Sequence, residues 1–224
     1  MTDAAWFLIP SALLLGIRHG FDLDHLATID SITRAASGTG YVSRWVGFLF
    51  SLGHGLVVIS ISLVIGSGFK VSPVPEWLDT VGEGISLTFL FLFGLLNLWS
   101  VFQKSDSRVP TSLKNYWSRK LVQKQIKPMF ILLIGMLFAL SFDTFSQVIL
   151  FSLSGSALSG CLFAALLGFI FMLGMMVTDG LNGLLVANLV QRAEGTSVFI
   201  SRLTGLIIAA FSLILGIINS IKIV

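Results

Sequence analysis

Long apolar runs separated by short polar breaks make up almost the whole of this chain. A hydrocarbon core of ~30 Å takes about 20 residues of helix to cross. On that measure the pattern predicts six spans, at about 7–30, 43–66, 81–102, 129–153, 160–190 and 199–221. The runs are continuous and do not alternate at every second position, so they predict helices and not barrel strands. The expected fold class is an all-α integral membrane protein, a polytopic helical bundle of about six transmembrane helices. It forms a single transmembrane domain over residues 1–224, and no soluble domain is expected.

Composition agrees with the pattern and narrows the chemistry. The chain is 55% hydrophobic and 11% charged, with a mean hydropathy of +0.93, where soluble domains carry roughly 25% charged residues. Cys161 is the single cysteine, so an internal disulfide or a thiolate cluster is excluded. The residues before the first run lack a basic stretch, and no cleavable signal peptide is expected. The pI near 9.2 comes from loop lysines and arginines and does not call for nucleic acid.

Those loop charges predict an orientation. Lys104, Arg108, Lys114, Arg119, Lys120, Lys124 and Lys127 lie between the third and fourth spans, and no basic residue lies between 154 and 159. By the positive-inside rule the loop at about 103–128 is cytoplasmic, solvated or lying on anionic lipid. Arg34, Arg44, Arg192 and Arg202 then also face inward, Lys70 and Lys222 outward, and both termini are external.

Polar groups at membrane depth are the candidates for chemistry. The stretch Arg18-His19-Gly20-Phe21-Asp22-Leu23-Asp24-His25-Leu26-Ala27-Thr28-Ile29-Asp30 holds two of the 3 histidines. Charged groups there cost at least ~2.5–3.5 kcal/mol each, which a ligand, a watery cavity or mutual pairing must offset. Neutral imidazole with carboxylates is a donor set for a divalent transition metal. At about 100° per residue His19, Asp22 and His25 share one arc of a single helix, with Arg18 placed to neutralise carboxylate charge, while Asp24 points away. Gly16 and Gly20 make an irregular turn feasible, as in the broken helices of transporters.

Three further clusters lie in other spans. Ser51-Leu52-Gly53-His54-Gly55 brings the third histidine, and Gly47, Ser51 and Gly55 form a small-residue stripe suited to close helix packing. Asp143 and Gln147 lie one turn apart in Asp143-Thr144-Phe145-Ser146-Gln147. Asp179 and Asn182 lie three apart beside Gly174, Gly180 and Gly183. A lone histidine such as His54 commonly serves as an interhelical hydrogen-bond partner, and Ser51, Thr144, Gln147 and Asn182 read as outer partners. Asp30 is placed to pair with Arg34 at i+4. The expected metal residues are His19, Asp22, Asp24, His25 and His54. Arg18, Asp30, Ser51, Asp143, Thr144, Gln147, Asp179 and Asn182 are expected along the pathway or behind the ligands.

These motifs resemble those of the nickel/cobalt transporter family. The stretch from Arg18 to Asp30 is similar to its H-x4-D-H signature, R-H-A-x-D-A-D-H-I-x-A-I-D. Phe50-Ser51-Leu52-Gly53-His54 is similar to F-S-L-G-H, Phe142-Asp143-Thr144 to L-G-F-D-T, and Gly174 to Gly183 to G-M-x-x-x-D-x-x-D-G. The resemblance covers the chain from about Arg18 to Gly183, in the family's order. It implies a secondary permease that takes up Ni²⁺ or Co²⁺ across the cytoplasmic membrane, with His19, Asp24 and His25 essential. The ion is the transported substrate, and no prosthetic group is implied. Four positions depart from the pattern. Gln147 stands where the third motif has Glu and Asn182 where the fourth has a second Asp, while Gly20 and Leu23 replace alanines. The six spans are also fewer than the family's usual complement.

Two other functions share parts of this pattern. A membrane metal chaperone or assembly factor for a metalloenzyme could use the same binding cluster without moving ions. The H-x4-D spacing also occurs in glycerolipid acyltransferases, where a histidine base is oriented by an aspartate, but that reading leaves His25, His54, Asp143 and Asp179 without a role. The chain is therefore expected not to be an enzyme. No ATPase motif is present, so energy is expected from ion gradients or membrane potential. Its partners are the divalent ion and the lipid bilayer, with an oligomer allowed.

Overall fold

A computed structural model describes residues 3–36, 41–68, 126–140, 145–154 and 160–196, with further helical positions between 81 and 98 and between 206 and 217. Nearly half of the third expected span, most of the sixth, nearly all of the basic loop, and Asp143 and Thr144 lie outside the described residues. No strand occurs among the described residues, and the chain is an all-α membrane protein.

Two helices are long and apolar enough to cross a bilayer unaided. These are α3 (Tyr41–Gly66), and α6 (Cys161–Thr196), whose apolar part runs over Cys161–Val190. The first expected span is not one helix: α1 (Asp3–His19) and α2 (Leu23–Ala35) are separated by a turn. The turn tightens through Phe21 N–H donating to the Arg18 carbonyl at 3.0 Å and Asp22 N–H to the His19 carbonyl at 2.9 Å. Asp22 then sits extended at the N-cap of α2, but its side chain makes no cap bond because it is used elsewhere. The fourth expected span is also divided, into α4 (Pro128–Phe138) and α5 (Phe145–Ser154). Pro128 starts α4 at the position where a missing N–H is harmless. By contrast α6 runs unbroken through Gly180 and Gly183.

Glycines set the distances between these helices. A Cβ on Gly47 would collide with the Asp179 carbonyl and the Gly180 nitrogen, and one on Gly55 with the Met172 side chain, so the stripe on α3 lies directly against α6. Gly53 and Gly135 bring α3 and α4 together in the same way, at the Leu132 and Phe50 carbonyls. Gly20 allows the α1–α2 turn to rest on Thr178 of α6.

The apolar packing falls into two clusters. Ile29, Ile32, Val46, Phe50, Ile131, Ile134 and Phe138 join α2, α3 and α4, and Ala12, Val58, Leu150, Leu167, Phe171 and Met175 join α1, α3, α5 and α6. The polar side chains lie between them. On the outside of α6, Leu162, Leu166, Phe169, Leu173, Val177, Leu181, Leu185 and Leu189 are exposed at spacings of three and four. Apolar outside and polar inside is the reverse of a soluble bundle, and it suits a solvent of acyl chains.

Candidate metal centre

Three histidines from three helices meet between the two apolar clusters. His19 ends α1, His25 lies in the first turns of α2 and His54 is midway along α3; each is 1% exposed. One ring nitrogen from each lies within 4.8 Å of the other two. The ring centroids form a nearly equilateral triangle, at 4.6 Å for His19–His25, 5.0 Å for His19–His54 and 4.9 Å for His25–His54. Phe50 packs edge-on to His25 at 4.9 Å and Phe171 against His19 at 5.3 Å, one aromatic wall from each apolar cluster.

Two carboxylates decide which nitrogens face the centre. An ionised carboxylate only accepts, so His19 donates Nδ1–H to Asp22 Oδ2 at 2.9 Å and His25 donates Nδ1–H to Asp179 Oδ2 at 3.1 Å. Both rings are thereby left with Nε2 available. Carboxylates behind ligating histidines fix tautomer and orientation and strengthen the ring as a donor. Ser51 supports the second pair by donating to Asp179 Oδ2 at 2.6 Å. His19 Nε2 lies 3.2 Å from His54 Nε2. Two nitrogens at ~2.0–2.1 Å from one ion stand at about that separation, so this pair has the spacing of a shared metal.

The broken helix explains geometry that a continuous one would forbid. His19 and His25 converge because the turn folds the start of α2 back toward the end of α1, while Asp22 reaches His19 from the corner. On an unbroken helix Asp22 points into the site with the histidines; here it lies on the far side of the His19 ring. Asp24, expected among the ligands, also lies outside the three-nitrogen cluster, and its Oδ1 accepts from the backbone N–H of His25 at 2.9 Å. There it counters the positive end of α2, which would otherwise face a cation, while the C-terminal end of α1 offers negative potential to the same point.

The remaining expected residues divide between structure and site. Arg18 donates to Ser146 Oγ at 2.7 Å, fastening the end of α1 to the start of α5. Gln147, completely buried on α5, reaches His54 Nε2 at 2.8 Å. Asp30 holds Arg34 through two bonds of 2.9 and 3.3 Å, one turn apart on α2 and away from the histidines. Asn182 donates to the Leu26 carbonyl of α2, at 3.5 Å, and joins none of the histidines among the described residues. The pairing of His25 with Asp179 is the main feature that periodicity alone misses, since 154 positions separate them. The one trace in the sequence is a carboxylate flanked by glycines at membrane depth.

Comparison with known proteins is decided by one alignment: residues 5–224 match the family described as NicO, high-affinity nickel-transport protein. The chain belongs to the NicO family. Among curated NicO relatives, the high-affinity nickel-transport protein NixA of Helicobacter pylori is 35% identical over 211 residues, covering 81% of this chain and 63% of that protein. The nickel transporter NicT of Mycobacterium tuberculosis is 32% identical, over 77% of this chain and 54% of its own length. The cobalt transport protein NhlF of Rhodococcus rhodochrous is 31% identical, over 66% and 49%. The chain thus spans about half to three fifths of the length of these relatives. No solved structure matches.

Proposed function

We propose that this NicO chain is a secondary permease that takes up Ni²⁺ or Co²⁺ across the cytoplasmic membrane, and that His19, His25 and His54 are the ligands at its midpoint. The single observation that carries this reading is the buried triangle of imidazoles with ring nitrogens inside 4.8 Å, two of them held by carboxylates. Nickel or cobalt is the cargo of the relatives by their printed names. Imidazole sites bind along the Irving–Williams order, so copper and zinc are rejected by geometry or availability and not by raw affinity. A dication moving inward down 100 mV gains about 4.6 kcal/mol, twice the single-charge value.

The interrupted first span suits alternating access. The α1–α2 turn lies between His19 and His25, and non-helical backbone at membrane depth is tolerated where it lines such a site. Rearrangement about this turn would expose the ion to opposite faces of the membrane in turn. Uptake of Ni²⁺, Co²⁺, Zn²⁺ and Mn²⁺, each offered separately to proteoliposomes, tests the reading. Binding without accumulation would replace the permease with a metal chaperone, and accumulation of none of the four would remove it.

The outer carboxylates give a graded prediction. Asp179→Asn should keep the ring in place but weaken it as a donor, lowering Ni²⁺ affinity about ten- to a hundredfold. Isothermal titration on the purified chain measures this, and an unchanged affinity would detach Asp179 from the site. A separate prediction concerns orientation. Protease added to intact cells should spare the basic loop at about 103–128, which we assign to the cytoplasm with both termini outside. Cleavage there from outside would reverse the direction of entry.

A further inference from the structure

Gln147 is a completely buried amide whose hydrogen bonding does not close. Its Nε2 lies 2.8 Å from His54 Nε2, its Oε1 has no partner, and His54 Nδ1 has none either. His19 Nε2 stands 3.2 Å from the same His54 nitrogen. Because His19 has committed its Nδ1–H to Asp22, its Nε2 presents a lone pair. A neutral His54 has one ring proton to place. Placed on Nε2, that proton serves His19 but opposes the amide N–H of Gln147. Placed on Nδ1, it is buried without an acceptor, and two lone pairs face each other across 3.2 Å. With the amide in this orientation no distribution of protons among these three groups satisfies them all, and turning it over leaves its NH₂ buried without an acceptor in place of Oε1.

We infer that Gln147 is a direct ligand of the transported ion, its Oε1 completing a set of three imidazole nitrogens and one amide oxygen. This rests on the reading of the three histidines as ligands. A divalent first-row cation removes the conflict in one step. It accepts the lone pairs of both His19 and His54 Nε2, while the soft twofold torsion of the terminal amide lets Oε1 take the place of Nε2 at the same short range. The side chain is otherwise already in position. As a fourth donor the amide adds an oxygen without adding charge, so the ion is enclosed yet can leave. Gln147 is therefore a specificity-determining residue, favouring ions that accept a mixed nitrogen and oxygen set and release it readily.

Co²⁺ binding to the purified full-length chain tests this, with affinity from calorimetry and ligand geometry from the visible d–d bands. Gln147→Ala should weaken binding about tenfold or more and shift the bands as water enters the fourth position. Gln147→Glu, nearly identical in shape, should tighten binding about tenfold or more and slow uptake in proteoliposomes, because the ion then leaves a charged ligand. Parent affinity and parent bands in both variants would overturn the inference and leave the three-histidine reading standing. Unchanged binding in His54→Ala would overturn that reading and the inference with it.

Discussion

Replacing His25 with alanine should abolish Ni²⁺ and Co²⁺ uptake while leaving the protein inserted in the membrane at its normal level. The ring is 1% exposed and stands 4.6 Å and 4.9 Å from the other two imidazoles, so its removal takes away one of three nitrogen donors. It also strips Asp179 of one of its two hydrogen-bond donors, leaving Ser51 alone on that carboxylate. Losing an outer partner of a metal site costs about ten- to a hundredfold, and loss of a ligand exceeds that. Isotope uptake in proteoliposomes reads the effect, with membrane yield as the measure of folding. Parent-level uptake would remove the histidine triangle from the transport path.

The second large effect is steric. Gly47→Ala places a methyl group against the Asp179 carbonyl and the Gly180 nitrogen, and backbone atoms cannot rotate out of its way. Helix α3 must then move off α6. Overpacking of this kind costs about 1–3 kcal/mol. Ser51 and His54 lie one and two turns along from Gly47 on α3, so the displacement also loosens the bond to Asp179 and moves a ligand. Thermal denaturation in detergent should fall by several degrees and uptake should drop with it. Gly160→Ala is the control, because nothing lies within 4 Å of a Cβ there. Equal stability of the two variants would show that the α3–α6 contact tolerates separation.

The sequence announces membrane helices through apolar runs of spanning length, and the histidines through their cost at that depth. The small-residue stripe at Gly47, Ser51 and Gly55 is equally legible, since close approach demands small side chains at helical spacing. The division of the first and fourth spans is not. An apolar run reads the same whether the backbone inside it is continuous or interrupted, and the glycines near His19 hint at a turn without fixing its place. The error propagates to the carboxylates: helical phase groups Asp22 with the ligands, whereas the corner at Gly20–Asp22 sets it behind His19. Tertiary pairs such as His25 with Asp179 and His54 with Gln147 have no periodic signal, because each depends on how two separate helices dock.

In the proposed transport cycle Asp179 has an energetic meaning. It is a fully buried carboxylate whose Oδ2 accepts from the Ser51 hydroxyl and the His25 ring, while its Oδ1 has no partner. A buried anion with one oxygen unmatched carries a desolvation cost. A dication on the other side of the His25 ring supplies opposite charge through that ring and relieves it. The loaded protein is then cheaper to seal from water than the unloaded one, so occlusion should follow cargo. On that reading the carboxylate would sense occupancy as well as clamp a ring.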